Sequence, residues 1–494
     1  MNKKRAVLIF ICAVLTALCV AGFFAVWQMK CLFGYRVWQN FYSEKEMSHD
    51  VIFYGASMVY ADVSPVTLWR EQGIAAYDLS GSGQPLWDTY FCIKESLKTQ
   101  RPKLLAVECS DLKYTEEYTE NRTAESLFGM KPSLNKFRAV RASVKPGELV
   151  DHLLEFPIWH SRFSELGKDD FEFARDPSLG RNFKGYKAYF NVTPFESLND
   201  VRDVAAMTPV TPRRDLFLRN IIRLSKEEGI PLLLFLSPTN HEYPEEKALF
   251  NFGEEIARSE NVPFVDFSDY MRDMGLDPGN DFADDLHLCA SGSEKFSRFL
   301  GEYLMTNYDL ADRRGEAGYE SWDECVREFD EKAGNDALSK ETDMVAYSRL
   351  LGQGPYYSYV ISMEGVNSKE NPYIRETLEN LGISADRYED GGVWIVENGE
   401  GTESRILYSS VGFSEYEHHM DIGSLAVSVS GAASERRDIT GNISPVIDRM
   451  IKITGQQEIQ FTEHGINILV YDRKFDIIVD KAGFDTDTGY GVVR

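Results

Sequence analysis

Five short apolar runs, each closed by a turn, decide what this chain can fold into. They are Val51-Ile52-Phe53-Tyr54, then residues 75–79, 104–108, 231–236 and 262–267. Runs of this length bounded by Gly, Pro and Ser read as strands buried on both faces. Helical periodicity fills the spaces between them, at residues 65–72, 86–99, 214–228 and 245–260, and a last helix is expected at 291–308. Strands separated by helices pair in parallel through crossovers. The expected fold class is therefore α/β, a flavodoxin-like doubly wound five-stranded parallel sheet in the order 2-1-3-4-5. Between the third and fourth strands the alternation pauses. Residues 112–212 are too long for an ordinary loop and predict a helical insertion above the sheet edge.

The amino end carries a different signal. Residues 6–27 are apolar except for Thr16 and Gly22. As a helix they would span ~33 Å, enough for a bilayer core. Lys3, Lys4 and Arg5 precede the run, which predicts a cytoplasmic amino end and an exported body. A cleaved signal peptide is the competing reading. The run is longer than a usual signal core and no clean A-x-A site follows it, so residues 1–30 are expected to be a single-pass anchor in the cell membrane. The formal charge of -25 argues against nucleic acid as a partner. Seven cysteines form no C-x-x-C pair, so neither a disulfide framework nor a zinc site is expected, and the chain calls for no cofactor.

A chain of 494 residues leaves room for more than one domain. The expected division is a hydrolase-like domain at 50–308, a charged linker or partly helical spacer at 309–346 and a strand-rich domain at 350–494. In the last region, strands are expected at 357–363, 393–396, 405–408, 424–430, 465–471 and 475–479, with a helix at 372–381. The pattern reads as a small α+β or sandwich unit.

Acyl transfer through serine needs a nucleophile, a base, an acid that orients the base, and donors for the developing oxyanion. Candidates for all four fall at carboxyl ends of the expected strands. Ser57 sits on the turn after the first strand. Gly81 lies in the glycine turn after the second. His287 follows the fifth, with Asp284 three residues earlier, so one loop can present both side chains. Three further residues are candidates for the substrate groove. His160 and Arg162 lie in the insertion, where a satisfied polar pair is the competing reading. Asn240 ends the fourth strand beside His241, where turn chemistry competes.

Gly55-Ala56-Ser57-Met58, Gly81 and Asp284-Asp285-Leu286-His287 together resemble the sequence blocks of the SGNH (GDSL-type) hydrolase superfamily, over about residues 50–308. The resemblance implies Ser57 as nucleophile, His287 as base and Asp284 as its orienter. It also implies an oxyanion hole from the backbone at Ser57 and Gly81. The third block departs. Where the family has Gly-x-Asn-Asp, whose asparagine side chain completes the oxyanion hole, this chain has Glu108-Cys109-Ser110-Asp111, so the resemblance puts Ser110 in the place of that third donor. Similar departures occur in membrane-anchored relatives that move acyl groups on cell-surface polysaccharides. In the carboxyl-terminal region, the stretch from Glu463 to Asp472, with Phe484-Asp485-Thr486, resembles the interleukin-like EMT inducer domain, which implies binding rather than catalysis.

Two functions fit the sequence. One is an exported, membrane-anchored esterase or O-acyltransferase acting on acyl esters of a cell-envelope or extracellular polysaccharide. The other is a non-catalytic glycan-binding or assembly protein, partnering a polytopic membrane acyltransferase.

Overall fold

The computed structural model describes residues 3–27, 32–118, 126–155, 162, 164–167, 170–171, 183–364, 371–384, 391–399, 404–412, 414–437, 440–453, 456–459, 462, 465–486, 489 and 491–494. The chain divides into two compact units, residues 1–327 and 328–494.

Unit one is built on strands β1 (Val51–Gly55), β2 (Ala76–Ser80), β3 (Leu104–Glu108), β4 (Leu232–Leu236) and β5 (Phe264–Asp266), paired in parallel in the order β2-β1-β3-β4-β5. That is the order the alternating pattern predicts. The pleat explains why the strands are apolar at every position. Ile52 and Tyr54 enter one core with Leu105, Val107 and Leu234, while Val51 and Phe53 enter the opposite one with Leu104, Ala106, Leu233 and Phe235. Helices cover both faces. The Pro65–Gln72 helix starts with Ser64 capping Thr67, and Gly73 ends it in the left-handed conformation. Register aligns Gly55 with Ser80 and Glu108 with Phe235, so the strands' carboxyl ends form one edge.

The insertion is helical in part, at Leu134–Ser143 and Leu149–Leu154. Among its described residues, 183–211 have no helix. From Phe183 onward it runs as irregular chain along the loop after β5. The N–H of Lys187 donates to the carbonyl of Tyr60, that of Thr193 to Phe282, and that of Ala290 to Tyr189.

The 309–346 stretch is partly helical. A helix covers Glu320–Lys340 and another Met344–Gln353. The reason lies in its few apolar residues. The Trp322 ring is buried and stacks on Trp69 at 5.8 Å, with its indole N–H donating to the carbonyl of Ala76 at 3.2 Å.

At the amino end, Lys3–Trp27 forms one helix of 25 residues. Many of its side chains lie outside the described set. Among the described residues no helix is long and apolar enough to cross a membrane.

Unit two is a domain of antiparallel sheets. Six strands pair in the order β15-β14-β13-β6-β7-β8, and four in the order β12-β11-β10-β9. In chain order they are β6 (Tyr357–Glu364), β7 (Gly392–Asn398), β8 (Ser404–Val411), β9 (Tyr416–Ile422), β10 (Leu425–Arg437), β11 (Ile443–Ile453), β12 (Gln456–Ile459), β13 (Gly465–Asp472), β14 (Ile477–Asp485) and β15 (Val492–Val493). Val360, Val393, Ile395 and Leu469 pack against Val427, Val429 and Ile451 of the smaller sheet. Their strand neighbours Tyr359, Ile361 and Ile468 face the other way, onto Leu351, Ile374 and Leu378. Strands β9, β11, β12 and β15 are not expected from the sequence pattern. His418 and His419 lie on β9. His418 stacks flat on Tyr408 at 3.9 Å, and His419 pairs with Glu417 at 3.3 Å.

Candidate active site

Ser57 is the first residue of a short helix, Ser57–Asp62, that leaves β1 through a single turn. Gly55 makes that turn possible. Its φ is +151°, and a Cβ there would meet the Glu108 Cβ at 2.8 Å and a Val59 methyl at 2.9 Å. Only glycine lets β1 end this close to β3. As first residue, Ser57 also contributes an N–H that the helix itself cannot satisfy.

The loop after β5 brings up the partners. Phe282 bridges Leu288, which closes the segment between them into a small turn. Within it, the Asp284 carboxylate accepts from the N–H groups of Leu286 (2.9 Å) and His287 (2.8 Å) and lies 2.9 Å from His287 Nδ1 through each of its oxygens. His287 Nε2 is 2.8 Å from Ser57 Oγ. A carboxylate only accepts, so Nδ1 carries the proton, Nε2 accepts, and the Ser57 O–H donates. Partial burial pushes the Asp284 carboxyl up. The hydrogen bond and charge of His287, with the N–H groups of Leu286 and His287, outweigh that effect and hold it below the usual range. The structure therefore brings Ser57, His287 and Asp284 into one hydrogen-bonded chain.

Asp62 ties the two halves of this chain together. It ends the Ser57 helix, is fully buried, and accepts from the N–H of Leu288 at 2.8 Å. Burial pushes its carboxyl well above the ordinary value. Asp62→Asn keeps an acceptor for Leu288 and should unfold near the wild-type denaturant midpoint. Asp62→Ala leaves a buried N–H without an acceptor and should lose about 1–3 kcal/mol, read from urea unfolding of the two variants side by side.

The remaining candidates are placed differently. The Gly81 N–H donates to the carbonyl of Gly55 at 3.3 Å. Ser110 turns inward. Its hydroxyl donates to Glu108 at 2.7 Å and its N–H to the other Glu108 oxygen at 2.9 Å. Two of the three expected oxyanion donors are thus engaged inside the protein. Arg162 is ion-paired with Asp170 at 2.6 Å and donates to the carbonyl of Trp27 at 3.0 Å. His160 lies outside the described residues, as do the rest of 156–161, Asn182, and Glu463 with His464. The Asn240 side chain accepts from the N–H of Asn199 (2.6 Å) and donates to the carbonyl of Ser197 (3.2 Å), so it anchors the end of the insertion.

Glu108 is the least expected neighbour. It replaces a glycine of the resembled motif and is fully buried beneath the Gly55 turn. Burial raises its carboxyl to about 7, with Ser110 and Lys113 pulling the other way. Between the ordinary 4.5 and about 7, the folded protein keeps a proton that the unfolded chain has lost. Its contribution to stability therefore falls as pH rises through that window, by up to ~1.4 kcal/mol per pH unit, and is level above it. Glu108→Gln should flatten this part of the pH dependence relative to wild type, measured as thermal midpoints across the window.

Sequence reading missed several neighbours of His287. Tyr189 of the insertion sets its ring 5.8 Å from the imidazole. Asn191 and Thr193 both donate to the carbonyl of Ala283, at 2.9 and 2.7 Å, and so brace the loop. No periodicity marks these residues, and only the fold brings them here.

No family model matches the chain, and no curated protein matches it. One solved structure similar to it is that of a "putative acylhydrolase" from Bacteroides fragilis NCTC 9343. The likeness covers 55% of this chain and 95% of that one, at 12% identity and a TM-score of 0.28.

Proposed function

We propose that unit one is a serine esterase or O-acyltransferase working through an acyl-enzyme at Ser57. The observation that carries this reading is the unbroken chain from Ser57 Oγ through His287 to Asp284, with contacts of 2.8 and 2.9 Å. In the forward step Ser57 Oγ bonds to the ester carbonyl carbon and its proton passes to His287 Nε2. Asp284 stabilises the imidazolium that forms. Collapse of the tetrahedral intermediate expels the alcohol, which takes that proton. Water or a second hydroxyl then reverses the sequence. The Ser57 N–H, at the head of its helix, is the donor best suited to the oxyanion.

In the same proposal the substrate is an acyl ester of a cell-envelope or extracellular polysaccharide. The residue 6–27 helix holds the protein at the cell membrane, amino end inside and body outside, and unit two adds a binding surface resembling the interleukin-like EMT inducer domain. The apolar run after Lys3, Lys4 and Arg5 supports this location.

One observation favours a second reading. With the Gly81 N–H on Gly55 and Ser110 on Glu108, the oxyanion hole is short of donors. A protein in that state would bind glycan beside a polytopic membrane acyltransferase without reacting. A fluorophosphonate probe separates the two. The esterase reading expects labelling of the wild type at Ser57, and an unlabelled wild type sinks it. Acetate release from O-acetylated glycan, set against acetyl transfer to bare glycan, then separates hydrolysis from transfer.

A further inference from the structure

The loop after β5 carries two consecutive aspartates, and they serve two different histidines. Asp284 holds His287. Asp285 Oδ2 lies 3.0 Å from Nδ1 of His241, which follows the end of β4. Thr239 locks the pair in place. Its hydroxyl donates to the carbonyl of Asp285 at 3.0 Å and accepts from the N–H of His241 at 3.2 Å. With Nδ1 committed to a carboxylate, the neutral ring has an acceptor at Nε2.

His241 lines a small cleft together with Met58, Ser110, Glu108, Glu242 and Thr239. Met58, the residue after Ser57 in the same short helix, forms one wall of this cleft. Its free space is about 10 Å³, the room one water or one hydroxyl needs. The polar groups around it complement a hydroxyl. Ser110 gives its proton to Glu108 and so offers an acceptor oxygen. Glu242 is 5% exposed, and its Oε1 is buried without a hydrogen-bond partner among the described residues. Burial, then the nearby Asp266 charge, raises that carboxyl to about 8 despite Lys247, which makes it a neutral donor. An acyl chain would leave Glu242 unsatisfied. A neutral hydroxyl both donates and accepts, and satisfies the set.

We propose that this cleft is a hydroxyl subsite, in which His241, held by Asp285, and Glu242 bind the hydroxyl that neighbours the reacting oxygen on the substrate's alcohol part. The enzyme would thereby select esters of vicinal diols, the arrangement found in sugars. This inference rests on the serine-esterase reading and specifies its substrate class.

The test compares two acetates on the full chain, the monoacetate of trans-cyclohexane-1,2-diol and cyclohexyl acetate, with fluorophosphonate labelling alongside. The wild type should prefer the diol ester in kcat/KM by about 10-fold or more. His241→Ala and Asp285→Asn should lose that preference, chiefly through KM, while both remain labelled at Ser57. A wild type without preference overturns the subsite, as does a preference that survives in both variants. If both variants lose labelling, His241 serves the attack or the fold, and the subsite is again overturned. A wild type that neither labels nor turns over either acetate fails one step earlier, at the serine-esterase reading, and takes the subsite with it.

Discussion

Replacing Ser57 by alanine should abolish fluorophosphonate labelling and lower turnover of an activated ester by on the order of 10⁴–10⁶. The size follows from how the residues act. In the proposed reaction Ser57 Oγ forms the bond to the acyl carbon, and His287 lies 2.8 Å away, where it can take the serine proton. Once the oxygen is gone, the histidine has nothing to activate. His287→Ala should therefore cost nearly as much as Ser57→Ala, and the double variant should cost little more than either alone. Steady-state rates on p-nitrophenyl acetate for the four proteins make the cycle. Additive losses would mean the two residues do not work as one unit. The fold should be indifferent, because Ser57 is half-buried and packs no core.

Asp284→Asn is the second large effect, expected at ~10⁴ in kcat. The substitution separates two jobs of this carboxylate. Asp284 Oδ1 accepts the N–H groups of Leu286 and His287, and an amide oxygen can do the same, so the turn should survive. The amide cannot play the carboxylate's part against the imidazole. An NH2 facing Nδ1 would select the opposite tautomer, with the proton on Nε2 aimed at Ser57, and Nε2 could no longer accept from the serine. The expected signature is an unchanged melting temperature with a collapsed rate. A variant that unfolded earlier and kept its residual rate would show that Asp284 serves the loop and not the base.

Much of this was legible in the sequence. The sheet order followed from five apolar runs and the helices between them, because a strand buried on both faces leaves a local signature. Ser57 was legible because it sits where an apolar run breaks, and Asp284 with His287 through their three-residue offset in the loop after the fifth strand. The rest depends on distant contacts. His241 and Asp285 are 44 residues apart in number, and no spacing rule joins them. Tyr189, Asn191 and Thr193 lie in a stretch without periodicity, and they reach the His287 loop only because the insertion folds back along it. Ser110 was read as a donor toward substrate from its position in the resembled motif. The structure turns it onto Glu108, a consequence of placing a carboxyl where that motif has a glycine. Trp322 shows the same limit at the domain scale. Its ring, with Leu338 and Met344, is buried in a stretch whose charge reads as a linker or spacer.

The short helix that begins at Ser57 and ends at Asp62 acts as a ruler. Its first residue is the proposed nucleophile and its last fixes the backbone of Leu288, next to His287. Six residues rising ~1.5 Å each set the gap between attacking oxygen and imidazole before any ligand arrives. Adding or deleting one residue would rotate Asp62 by ~100° about the helix axis and unhook the loop. The spacing from 57 to 62 should thus tolerate changes of side chain far better than changes of length. Little reorganisation then remains for the reacting groups, and the barrier is left to the substrate and its developing charge.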